Sequence, residues 1–102
     1  MVMKMKIEEI EKIVFNSGSL YCPIYGVSQN DSHIYIFLHE EEKLGVNELQ
    51  YIKDMEMEIE ADFQGIDVTE DYTITEKGKE DNCIDEYTKL PNEVIVLIFE
   101  KW

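Results

Sequence analysis

Five carboxylates recur at every second position from Asp54 to Asp62. Met55, Met57, Ile59 and Ala61 separate Asp54, Glu56, Glu58, Glu60 and Asp62. Alternation of this kind fits a half-buried strand, in which neighbouring side chains point to opposite faces. On a strand the acids lie about 6.8 Å apart at i, i+2. A helix is the competing reading, since Leu49, Ile52, Ile59 and Phe63 then share a side. It sets Glu56 in the middle of that side and Met57 opposite it, so the strand template fits better.

The residues that follow extend the pattern. With Gln64 and Gly65 as a two-residue hairpin loop, Phe63 faces Ile66, Ala61 faces Val68, Met57 faces Tyr72 and Met55 faces Ile74, apolar on apolar, and only Ile59, opposite Glu70, breaks the match. The reverse face pairs Asp62 with Asp67, Glu60 with Thr69, Glu58 with Asp71, Glu56 with Thr73 and Asp54 with Thr75. Seven carboxylates and three threonines then share one face with no lysine among them. Like charges directly opposite cost roughly 0.2–1 kcal/mol per pair, and ordinary sheet surfaces interleave both signs. The chemistry of such a face is the reception of cations. Its spacing is close to two base steps of duplex DNA, about 3.4 Å per step, so it suits the Lys- and Arg-lined groove of a nucleic-acid-handling enzyme. Asp54, Glu56, Glu58, Glu60, Asp62, Asp67 and Asp71 are the expected partner-binding residues.

Other reactive side chains are sparse. His33 and His39 share one face of a strand but stand about 20 Å apart, too far for one metal. "HEEEK" lacks the second histidine of a zinc helix, and "DFQGIDVTEDY" lacks the ligand order of a calcium loop. Cys22 has neither a base nor an oxyanion hole implied nearby, and no phosphate-cradling glycine loop is present. The expectation is a non-catalytic protein with no metal or cofactor.

Charge sharpens this. The chain of 102 residues has 23 acids and 9 basic residues, net −14, and every basic residue is lysine. Residues 1–39 hold four acids and three lysines, net −1, while residues 40–102 hold 19 acids and six lysines, net −13. A chain so charged and without guanidinium groups grips phosphates poorly, which argues against direct nucleic-acid or anionic-membrane binding. Two cysteines and no apolar leader point to reduced thiols and a cytoplasmic location.

The elements follow from periodicity. One domain spans 1–102. Ile7, Ile10, Ile13 and Val14 predict a helix over 6–15. "SLYCPIYGVSQNDSHIYIFLHE" predicts two strands about a Ser28–Ser32 loop, one face aliphatic (Ile24, Ile36, Leu38), the other aromatic (Tyr21, Tyr25, Tyr35, Phe37). Pro23 places the first of them at an edge or a bulge. Cys83, Ile84, Tyr87 and Leu90 predict a helix over 82–89, capped by Asp81 or Asn82 and ended by Pro91. Residues 93–100, apolar on both faces, predict a central strand covered on both sides. The expected fold is α+β: a mostly antiparallel sheet of about five strands with one or two short helices on one face.

The functional expectation is a small acidic inhibitor that blocks the basic surface of a nuclease or related enzyme. Phage anti-defence (anti-CRISPR-like) proteins are one class of matching size and charge. Immunity proteins against basic bacterial toxins are another, and a small structural or assembly protein, dimeric through the aromatic face, is the third.

Overall fold

The computed structural model describes residues 5–16, 24–39 and 46–102, with side chains from Gln50 onward in the last stretch. The elements are α1 (Ile7–Asn16), β1 (Ile24–Gln29), β2 (His33–Leu38), α2 (Val46–Ile59), β3 (Ala61–Thr69), α3 (Glu76–Asp81) and β4 (Val94–Lys101). The strands form one antiparallel sheet in the order β1-β2-β4-β3. The fold is α+β as expected, with four strands rather than about five and three helices rather than one or two among the described residues.

Strand β4 holds the centre, as its doubly apolar sequence predicts. Leu97 and Phe99, with Ile95, join an aliphatic core completed by Ile10 and Val14 of α1 and by Tyr51, Ile52, Met55 and Ile59 of α2. Val94, Val96 and Ile98 face the other way, into a smaller cluster with Tyr25, Phe37, Tyr72 and Ile84. Each β4 side chain is therefore matched to a different cover, helices on one side and aromatic rings on the other.

The missing strand is residues 54–59, which belong to α2. Tyr51, Ile52, Met55 and Ile59 are at most 3% exposed, and their i, i+1, i+4, i+8 spacing is the buried stripe of a helix. Met57, the alternating residue that a strand would bury, is 71% exposed. Glu56 explains why a helix tolerates an acid on that flank. It is half-buried, and its Oε2 accepts the Phe63 N–H at 2.8 Å across the turn into β3. The hairpin about Gln64–Gly65 does not form either. Those residues sit within β3, where the register with β4 shifts between Phe63 and Gly65.

Two smaller corrections follow local chemistry. In the β1–β2 hairpin, Val27 pairs with Ile36 and Gln29 with Ile34, a tighter register than Val27 opposite His33. Asn30 makes the short turn, its Oδ1 accepting from Ser32 N at 2.9 Å and His33 N at 2.7 Å. A bulge between Ile24 and Gly26 lets Ile24 and Val27 share the aliphatic side while Tyr25 points to the aromatic one. The edge position and the bulge agree with the signal at Pro23; Pro23, Cys22 and Tyr21 lie outside the described residues.

The third helix runs over 76–81, not 82–89, and packs against β1. Thr75 caps it, accepting from Gly78 N at 3.1 Å, and Asn82 closes its end by donating to Gly78 O and Ile24 O. Residues 85–88 turn on themselves instead, with Asp85 Oδ1 accepting from Tyr87 N at 2.8 Å. These bonds hold the Asp85 carboxyl below its usual range, and Tyr87 stays 86% exposed.

Candidate functional site: an acidic, aromatic groove

The chain reaches its candidate site by leaving β3 at Thr69. There the Thr69 hydroxyl accepts from Asp71 N at 3.1 Å, a local turn that ends the strand. Residues 70–75 then cross the aromatic side of the sheet toward β1. Tyr72 lies over Tyr25 with ring centroids 6.0 Å apart and an interplanar angle of 19°. Its hydroxyl donates to Pro91 O, and Thr75 N donates to Tyr25 O at 3.1 Å. A Cβ at Gly26 would run into Thr73 O, and one at Gly78 into Tyr25 O. The close approach of this segment to β1 thus depends on both glycines.

Between the crossing segment and the sheet runs a groove of about 580 Å³. Phe37, Val96 and Ile98 supply apolar surface, Tyr35 and Tyr72 aromatic faces, and Asp67 and Asp71 two exposed carboxylates. Asp67 Oδ1 accepts from Val68 N at 2.8 Å, which fixes the direction of the carboxyl group. Among the described residues no lysine lines the groove. Such a surface is chemically suited to a cation: a charged hydrogen bond contributes about 1.5–3 kcal/mol, and an aromatic face beneath it about 0.5–2 kcal/mol.

Of the seven expected partner-binding residues, only Asp67 and Asp71 meet here. Asp54 and Glu58 lie on the exposed side of α2, where Asp54 Oδ1 accepts from Gln50 Nε2 at 3.0 Å. Glu56 is turned toward β3. Successive members of the helical set are about 200° apart around the axis at 3.6 residues per turn, so they form no single face. Glu60 follows the helix in a left-handed conformation, φ 55°. Asp62 accepts the Trp102 indole N–H at 3.0 Å. The expected lattice of seven acids is replaced by one pair and five dispersed residues.

Tyr35, Tyr25 and Phe37 divide between roles. Tyr25 and Phe37 are 3% and 6% exposed and belong to the core, Phe37 also flooring the groove, whereas the more exposed Tyr35 lines the groove beside His33, whose ring stacks on it at 6.1 Å. His39 packs edge-on against Tyr25 at the other end of β2, 5.3 Å between centroids. Tyr72, Thr73, Val96 and Ile98 were not anticipated as site residues. The Thr69–Asp71 pair, a strand-ending turn signal, is the one local clue to where the chain would turn.

Among the described residues no three His, Cys, Asp or Glu side chains are placed to hold a metal ion. Nor is any described helix long and apolar enough to cross a membrane. No family model, curated protein or solved structure matches this chain.

Proposed function

We propose that this is a non-catalytic binding protein that occludes a basic surface on a partner, seating a lysine or arginine side chain of that partner in the Asp67–Asp71 groove. The observation that carries the reading is a pair of exposed carboxylates over aromatic and aliphatic surface, with no lysine among the described residues that line it, in a chain of net charge −14. The long-range field of that charge speeds encounter with a basic protein, and the groove supplies the short-range contacts. A nucleic-acid-handling enzyme is the partner class with the required basic surface. Inhibitors of that kind include phage anti-defence proteins and immunity proteins. Mimicry of regularly spaced phosphates is no part of the reading, because the acids of 54–62 do not line up.

The test is capture from the native host with the wild-type chain and with an Asp67→Lys/Asp71→Lys variant. The expected result is a basic nucleic-acid enzyme that salt releases, that the wild-type chain inhibits, and that the variant fails to retain. Equal retention by both chains would place the interface elsewhere.

A further inference from the structure

A second concavity, about 530 Å³, opens beside the β1–β2 turn. Its deep surface is Ile10, Ile34 and Ile59, each at most 2% exposed, and its rim includes Glu60, Glu100 and Trp102. The indole is fixed rather than loose: Trp102 N donates to Glu60 O at 3.1 Å, and Nε1 donates to Asp62 Oδ1 at 3.0 Å. It nevertheless remains 59% exposed.

Three observations give this cleft a preference for positive charge. Among the described residues that line it, Glu60, Glu100 and Asp31 outnumber Lys101, whose ammonium donates to Asn30 O. The strand register sets Asp62 directly opposite Glu100, a like-charge pair that weakens a sheet. Helix α2 ends here, so its negative pole points at the opening, and Glu60 adds a carboxylate where that pole disfavours one.

We propose that this cleft binds a small amphipathic organic cation, an aryl- or alkylammonium whose apolar body lies on the isoleucine surface and whose charged head meets Glu60, Glu100 and the Trp102 indole. Tryptophan is the best of the aromatic partners for a cation. The volume falls in the range of small-molecule sites, about 300–1,000 Å³, and the buried isoleucine floor offers the apolar body of a free amine a surface to cover. The site stands apart from the Asp67–Asp71 groove and does not depend on its function.

Trp102 is the only tryptophan in the chain, so its emission reports occupancy in the intact protein. Titration with phenethylammonium should give a saturable change, and phenethyl alcohol, of the same shape but neutral, should bind about tenfold more weakly or less. Glu60→Gln/Glu100→Gln should remove that preference while leaving the alcohol unaffected. Amide signals of Gln29, Ile34, Ile59 and Lys101 should shift together. Equal affinity for amine and alcohol, signals that move instead at Tyr35 and Tyr72, or no saturable change would each overturn the proposal. So would binding that appears only after removal of residues 1–4, which would assign the cleft to the chain's own N-terminus. Displacement of the amine by a short lysine peptide at lower concentration would likewise overturn the small-molecule assignment.

Discussion

The two sides of the sheet are closed by different means. On one, α1 and α2 lay down an aliphatic cover in which Ile10, Ile36, Leu38, Ala61, Leu97 and Phe99 are wholly buried. On the other, the cover is an irregular crossing segment, one two-turn helix and a few aromatic rings, and a groove remains along its flank. Helices meet a sheet along continuous apolar stripes and leave few gaps. A crossing loop must keep its own polar backbone satisfied and touches the sheet only where rings or glycines permit. The lesson is that this fold places its most continuous packing on one side and the Asp67–Asp71 groove on the other.

The sharpest way to break the contrast is to truncate neighbouring residues of β4 that face opposite ways. Leu97→Ala, on the helix side and fully buried, should cost about 2–5 kcal/mol. Ile98→Ala, half-buried beside the groove, should cost roughly half as much. Urea denaturation of both variants measures the difference, and equal losses would mean that the two covers are equally tight.

A second variant tests what seals the helix side. Glu56→Ala strands the Phe63 N–H and should cost about 1–3 kcal/mol, although the residue lies on a surface that looks merely acidic. Amide exchange at Phe63 should quicken in the same variant. A protected Phe63 amide would show that another group takes over.

The smallest effect expected is a pH dependence. Burial first, and the nearby Glu58 carboxylate second, push the Tyr51 phenol well above its ordinary 10.0. The unfolded chain therefore releases this proton near 10 while the folded one keeps it, so stability falls as pH rises past that point. Tyr51→Phe loses only a long hydrogen bond to Val14 O, 3.4 Å, and should cost under about 1 kcal/mol at neutral pH. Its stability should decline less between about pH 10 and 11 than that of the wild type.

How far the sequence discloses all this depends on whether a residue answers to its own neighbours or to distant ones. Val94 to Phe99 announce a strand buried on both sides because no polar residue interrupts either parity, and α1 is equally plain from Ile7, Ile10, Ile13 and Val14. The hairpin's two faces were legible, but its register was not, since the bulge at Tyr25 answers to the segment bonded to its carbonyl 50 residues later. The alternation of 54–62 misleads because two periods fit Met55 and Ile59 equally. What decides is Glu56, an acid that looks misplaced on a helix until the Phe63 amide is brought to it. The groove pairs Asp67 with Asp71 across a turn whose direction the core dictates, so only its acidic members could be named in advance.

Gly26 and Gly78 have a consequence for which substitutions the chain can bear. At each, the obstacle to a side chain is a backbone carbonyl of a segment distant in sequence, Thr73 O at Gly26 and Tyr25 O at Gly78. A backbone cannot swing aside as a flexible side chain can, so even one added methyl group would prise the crossing segment or α3 away from β1.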